Sequence, residues 1–124
     1  METSGVAAFV ENFYSAIERV FEKIAKTFEG VPEGESWHRD LLEQMNQGKD
    51  HRPRVIRQEN FEILGEYLGF RHLRRNLYLP DLDLARLLPL VEGVAYLWGA
   101  LRIEIGDFAT VLEAMADALG DEGA

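Results

Sequence analysis

Apolar residues recur at steps of three and four along nearly the whole of this 124-residue chain, the spacing that lays side chains along one face of an α-helix. Val6, Phe9, Val10, Phe13, Ile17, Val20, Phe21, Ile24 and Phe28 form the first run, and Gly30 and Pro32 end it. This predicts a first helix over about residues 4 to 29. Ser36 stands as N-cap of a short second helix through Met45, with Trp37, Leu41, Leu42 and Met45 on its buried face and Gly48 as its stop. The following residues, 49–57, contain Pro53 and read as a connection crossing the surface.

A third helix is predicted over about residues 58 to 77, with two adjacent apolar stripes. Phe61, Leu64 and Leu68 make one, and Ile63, Tyr67, Phe70 and Leu77 the other. Continued at the same steps, the first stripe lands on Arg71, Arg75 and Tyr78, so a packed face runs directly into a basic one. Pro80 marks the exit, Asp83 can cap the next helix, and Pro89 falls in that helix's early turns, where it bends the helix or delays its start. From Leu84 the series Leu87, Val91, Val94, Trp98, Leu101, Ile105, Phe108, Leu112, Met115, Leu119 alternates threes and fours like a heptad seam. One unbroken helix over that span would be roughly 54 Å long, at about 1.5 Å per residue. A break at Gly93, Gly99 or Gly106 is therefore expected. No strand-like alternation of useful length occurs, so the expected architecture is all-α: an antiparallel bundle of four or five helices forming a single domain, residues 1–124.

Charge sharpens the picture. The formal net charge of -9 excludes a general nucleic-acid binder that works by blanket phosphate neutralisation. Positive charge is nonetheless concentrated: Lys49, Arg52, Arg54 and Arg57 in one segment, and Arg71, Arg74 and Arg75 in another, are more than half of the thirteen Lys and Arg residues. The absence of cysteine removes disulfide and thiolate chemistry and fits a reducing cytoplasm. Met1 leads into Glu2 rather than into a basic segment and a long apolar run, so neither a secretory signal nor a membrane span is expected.

The candidate chemistry is sparse. Glu18, Glu22, Glu62, Glu66 and Glu104 read as solvated polar-face residues. His38, His51 and His72 lack the close spacings of a metal cage, and no metalloprotease, EF-hand or phosphate-loop motif occurs, so no metal or other cofactor is expected. Trp37 reads as core or interface packing, and His38 as a structural or solvent-facing residue near a helix start. Arg71 offers a planar donor fork and a fixed charge, suited to holding phosphate or to pairing with a carboxylate of a partner helix. Arg74 and Arg75 suit solvated or phosphate-positioning roles. Arg52, Arg54 and Arg57 extend an RNA path if they lie beside the same cleft.

The stretch Phe70-Arg-His-Leu-Arg-Arg-Asn-Leu-Tyr78 resembles the HEPN family, and within it the HepT toxin group with its Arg-x4-His-x-Tyr motif. The segments Ser36-Trp37-His38-Arg39-Asp40-Leu41-Leu42-Glu43-Gln44-Met45 and Leu82-Asp83-Leu84-Ala85-Arg86-Leu87 also resemble that group, so the likeness spans roughly residues 5 to 118. The resemblance implies an all-α, homodimeric, metal-independent endoribonuclease of a toxin-antitoxin pair, with RNA bound in a cleft at the dimer axis. It also implies a minimal nucleotidyltransferase antitoxin that adds AMP to the motif tyrosine in some systems. Carried over by position, Arg71 matches the motif arginine and Tyr78 the modified tyrosine. The motif histidine falls on Asn76.

A carboxamide cannot exchange protons near neutral pH as imidazole does. Asn76 is left with orienting a phosphate or a 2′-hydroxyl, and His72, one turn earlier on the same face, is the candidate for the missing proton transfer. Arg71 and Asn76 are five residues apart, about 140° around a regular helix, and do not point at one atom from a single straight helix. A second reading follows from the same substitution: a binding or regulatory protein that keeps the fold and the nucleotidyltransferase partner without cleavage. A third is a purely structural helical dimer, in which a carboxylate engages Arg71.

Overall fold

Four helices account for the regular structure: α1 (Thr3–Phe28), α2 (Trp37–Met45), α3 (Gln58–Asn76) and α4 (Leu84–Gly123). The computed structural model describes residues 3–76 and 84–123, without the side chains of residues 3, 4, 75, 76, 84, 86 and 121–123. Among the described residues there is no strand, only an isolated bridge between Lys49 and Arg52. The all-α bundle expected from the periodicity is what forms.

The side-chain pairings fix the sense of each helix. Tyr67 reaches Leu90 and Asn60 reaches Glu104, so α3 runs against α4. Phe28 packs edge-on against Phe108 while Phe9 and Phe13 line a groove with Val91, Val94 and Trp98, so α1 runs with α4. His38 meets Glu18 and Gln44 meets the Gly30 carbonyl, so α2 also runs with α1. The link 29–36 must therefore return from the end of α1 to the level of Glu18. Gly30 and Gly34, with φ of 100° and 104°, supply the left-handed turns this path needs.

The core is the meeting of the predicted faces: Tyr14, Ile17 and Phe21 of α1, Leu41, Leu42 and Met45 of α2, Leu64 and Tyr67 of α3, and Leu87, Leu97 and Leu101 of α4 are buried. Ser36 begins α2, but its hydroxyl donates to the Asp40 carboxylate at 3.0 Å instead of accepting from a backbone N–H.

Two expectations fail for physical reasons. α4 is one unbroken helix of 40 residues, roughly 60 Å long at about 1.5 Å per residue, and continues through Pro89 and all its internal glycines. Each glycine weakens a helix by only about 1 kcal/mol relative to alanine, less than the burial of Leu97, Leu101 and Phe108 on the same seam contributes. Gly93 has a positive reason to be there: a Cβ would stand 2.9 Å from the Tyr67 hydroxyl, which donates to the Leu90 carbonyl at 2.7 Å.

The connection between α2 and α3 does not simply cross the surface. Val55 and Ile56 are buried, and their N–H groups donate to the Met45 carbonyl at 3.0 and 3.2 Å. Arg52 is only 2 % exposed. Its Nε donates to Glu29 Oε1 at 3.0 Å, and its other nitrogens donate to Glu29 and to the carbonyls of Gln44, Gln47 and Pro53. A guanidinium tolerates burial when its donors are satisfied in this way. Arg52 therefore ties the ends of α1 and α2 together and is not a residue for an RNA path.

Candidate functional site

The basic end of α3 is anchored by a buried carboxylate. Glu18, expected on a solvated face, is 5 % exposed, because it stands one turn from Tyr14 and Phe21 on the apolar face of α1. Arg71, 8 % exposed, donates from Nη1 to Glu18 Oε1 at 3.1 Å. The other oxygen, Oε2, accepts from His38 Nδ1 at 2.7 Å. One carboxylate thus joins α1, α2 and α3. The carboxylate that the sequence placed on a partner helix lies within the same chain.

The surroundings hold the three groups in place. The His38 ring stacks on Trp37, with centroids 3.7 Å apart and planes 30° apart. Tyr14 lies beneath, and burial, then the Glu18 charge, push its phenol above the ordinary range. An open cleft of about 730 Å³ lies over this network, lined by Glu35, Ser36, His38, Arg39, Leu68, Gly69, Arg71 and His72. Arg39 spans its edge: Nε donates to Glu43 Oε1 at 3.1 Å, and the guanidinium lies 5.7 Å over the Phe61 ring.

The candidate residues separate into groups. Arg71 and His72 share the cleft. Arg74 pairs with Glu11 of α1 at 3.5 Å, so its charge is already shared. Arg54 and Arg57 are exposed near the other end of α3, beside a smaller pocket of about 140 Å³ with Glu104, Asp107 and Phe108. From residue 57 to residue 71 the helix rises roughly 21 Å, so the two basic clusters do not form one site in a single subunit. The Arg75 side chain, the Asn76 side chain and Tyr78 lie outside the described residues. Among the described residues no group of three or more His, Asp or Glu side chains is placed to hold a metal ion, and no helix is long and apolar enough to cross a membrane.

The family model for the HepT-like protein matches residues 5–112. The chain belongs to the HepT-like family. No significant match was found among curated proteins or among solved structures.

In this HepT-like chain α3 remains helical through Asn76, so the motif positions 71 and 76 stay about 140° apart around its axis. Gly69 and His72 line the cleft, and Arg71, which also lines it, reaches Glu18.

Sequence reasoning missed two carboxylates, whose positions carried a signal, and a histidine, whose position did not. Glu18 and Glu104 interrupt apolar faces at helical steps from buried neighbours, Tyr14 and Phe21 for one, Leu101 and Phe108 for the other. Glu104, also expected on a solvated face, is buried: it accepts from the Asn60 side chain and from the Arg57 N–H at 3.2 Å. It thereby satisfies an otherwise unpaired donor at the start of α3 and complements that helix's dipole. His38 showed no comparable sign, because its carboxylate partner is twenty residues away on another helix.

Proposed function

We propose that this HepT-like protein is the toxin subunit of a toxin-antitoxin pair, a homodimeric, metal-independent endoribonuclease acting in the cytoplasm, silenced by a cognate minimal nucleotidyltransferase. The observation that carries this reading is the convergence of Arg71, His38, His72 and Arg39 on one open cleft at the position of the family motif. In this reading Arg71 stabilises charge on the phosphorus as a ribose 2′-hydroxyl attacks, and Asn76 orients the phosphate or the hydroxyl. Arg74 and Arg75 position the RNA backbone, Tyr78 is the site of AMP addition, and a second copy doubles the cationic charge along the cleft. Arg54 and Arg57 contribute only where the RNA extends to the far end of α3.

A second reading draws on the Glu18–Arg71 pair and on Asn76. With the arginine already engaged by a carboxylate and the motif imidazole replaced, the fold would serve as a non-cleaving binding or regulatory subunit for the same partner.

Cleavage of labelled single-stranded RNA in the presence of chelator, at low salt, separates the two. The nuclease reading expects cleavage by the wild type and its loss in Arg71→Ala. A silent wild type that gains cleavage as Asn76→His identifies the non-cleaving reading.

A further inference from the structure

We propose that His38, oriented by Glu18, performs the proton transfer in this cleft that Asn76 cannot, with Glu18 as the positioning residue for both His38 and Arg71. The proposal rests on the ribonuclease reading above and names a catalytic residue that the motif does not contain.

The geometry favours His38 over His72. His38 donates from Nδ1 to Glu18 Oε2 at 2.7 Å, an arrangement that fixes ring orientation and tautomer and leaves Nε2 as the basic nitrogen of the neutral ring. Nε2 has no hydrogen-bond partner among the described residues, and His38 lines the cleft. Its ring is further fixed by stacking on Trp37 and is only partly exposed. His72 lines the same cleft but is exposed, whereas His38 is half-buried against Trp37 and Glu18. A nucleophile-activating base needs a third group that holds it in place, and Glu18 is such a group for His38.

The shared carboxylate also sets the spacing of the two working groups. Glu18 Oε1 holds the Arg71 guanidinium and Oε2 holds the His38 imidazole, so a phosphate on Arg71 lies beside the imidazole. One Nη1 contact leaves Arg71 with further N–H donors for that phosphate. The charged and titratable groups around His38 are Glu18 of α1, Arg71 and His72 of α3, and Glu35 and Arg39 beside it.

The step balances with a single proton. His38 Nε2 accepts the proton of a ribose 2′-hydroxyl as the 2′-oxygen forms its bond to the adjacent phosphorus. The bond from phosphorus to the 5′-oxygen of the next nucleotide then breaks, and His38 returns the proton to that oxygen. The products are a 2′,3′-cyclic phosphate and a 5′-hydroxyl, with His38 neutral again.

The test compares wild type, His38→Asn, His38→Ala, His72→Ala and His51→Ala on labelled single-stranded RNA across pH 5 to 9 with chelator present. Asparagine retains a donor for Glu18 and so preserves the fold while removing the proton transfer. The expected result is a loss of about 10²- to 10⁴-fold in His38→Asn and His38→Ala. The acidic limb of the pH profile should disappear, and added imidazole should partly rescue His38→Ala, a response that a merely structural role would not give. His51→Ala, whose ring pairs with Glu29 outside the cleft, should cleave at the wild-type rate. Cleavage retained within a few-fold in His38→Asn, or lost only in His72→Ala, overturns the assignment while leaving the ribonuclease reading intact. Absence of cleavage in the wild type overturns both, and activity gained only by Asn76→His shows that His38 does not perform the transfer.

Discussion

Glu18 and Arg71, fifty-three residues apart in sequence, are joined by a 3.1 Å hydrogen bond in which neither residue is more than a tenth exposed. Removing one partner of such a pair leaves the other charge buried without compensation, which costs about 3–5 kcal/mol. Glu18→Ala is therefore expected to lower the unfolding free energy by that order, because it strands His38 as well as Arg71. The paired change Glu18→Leu with Arg71→Met should cost less than Glu18→Ala alone. Urea unfolding of the three chains measures this, and a Glu18→Ala loss below about 1 kcal/mol would show the pair to be solvated.

Glu29 gives a pH-dependent prediction. Burial alone would raise its carboxyl, but hydrogen bonds from Arg52, Gln44 and His51 outweigh that effect and hold it at about 2. A carboxyl lowered in the folded state contributes stability above its ordinary value near 4.5, and that contribution is lost as pH falls towards 2. Wild-type unfolding free energy should decline between about pH 5 and pH 2, and Arg52→Met should remove this site's share of the decline. At pH 7 Arg52→Met should cost roughly 3 kcal/mol, the lower end for a broken buried pair, because Glu29 retains contact with water. Parallel denaturation curves for both chains over that pH range would refute the assignment.

The fold was legible because its signal is local. Periodicity placed α1, α2 and α3 to within a residue or two, as apolar steps of three and four leave few alternatives. What could not be read was pairing across helices. Arg52 and Arg71 look alike in the sequence, yet one is fully engaged by Glu29 and three carbonyls, and the other by a carboxylate shared with a histidine on the cleft. Which acceptor a guanidinium finds depends on the docking of segments more than twenty residues apart, and no spacing rule contains that information.

Gly93 and Gly106 occupy the same helix but should respond oppositely to alanine. At Gly106 the added methyl meets nothing within 4 Å, so helix propensity alone applies and Gly106→Ala should stabilise by up to about 1 kcal/mol. At Gly93 the methyl meets the Tyr67 hydroxyl at 2.9 Å, and that hydroxyl is held by the Leu90 carbonyl in a buried site. Gly93→Ala should destabilise by about 1–3 kcal/mol, and Tyr67→Phe in the same chain should relieve part of the clash. Thermal midpoints of the single and double variants provide the check, and a more stable Gly93→Ala would refute the close approach.

The length of α4 divides it into a packed part and a projecting part. Leu101 is fully buried at 0 % exposure, whereas Leu119, on the continuation of the same seam, is 66 % exposed. Leu101→Ala should therefore cost about 2–5 kcal/mol through lost contacts and the cavity left behind. Leu119→Ala in the isolated subunit should cost less than about 0.5 kcal/mol. The comparison also bears on the proposed homodimer, because an apolar seam that runs past its own core is a surface on which another chain can pack. Unfolding measured over a hundredfold range of protein concentration separates the cases. A Leu119→Ala effect that is small and independent of concentration places the dimer contact elsewhere, and a loss above about 1 kcal/mol that grows with concentration places a second copy on this seam.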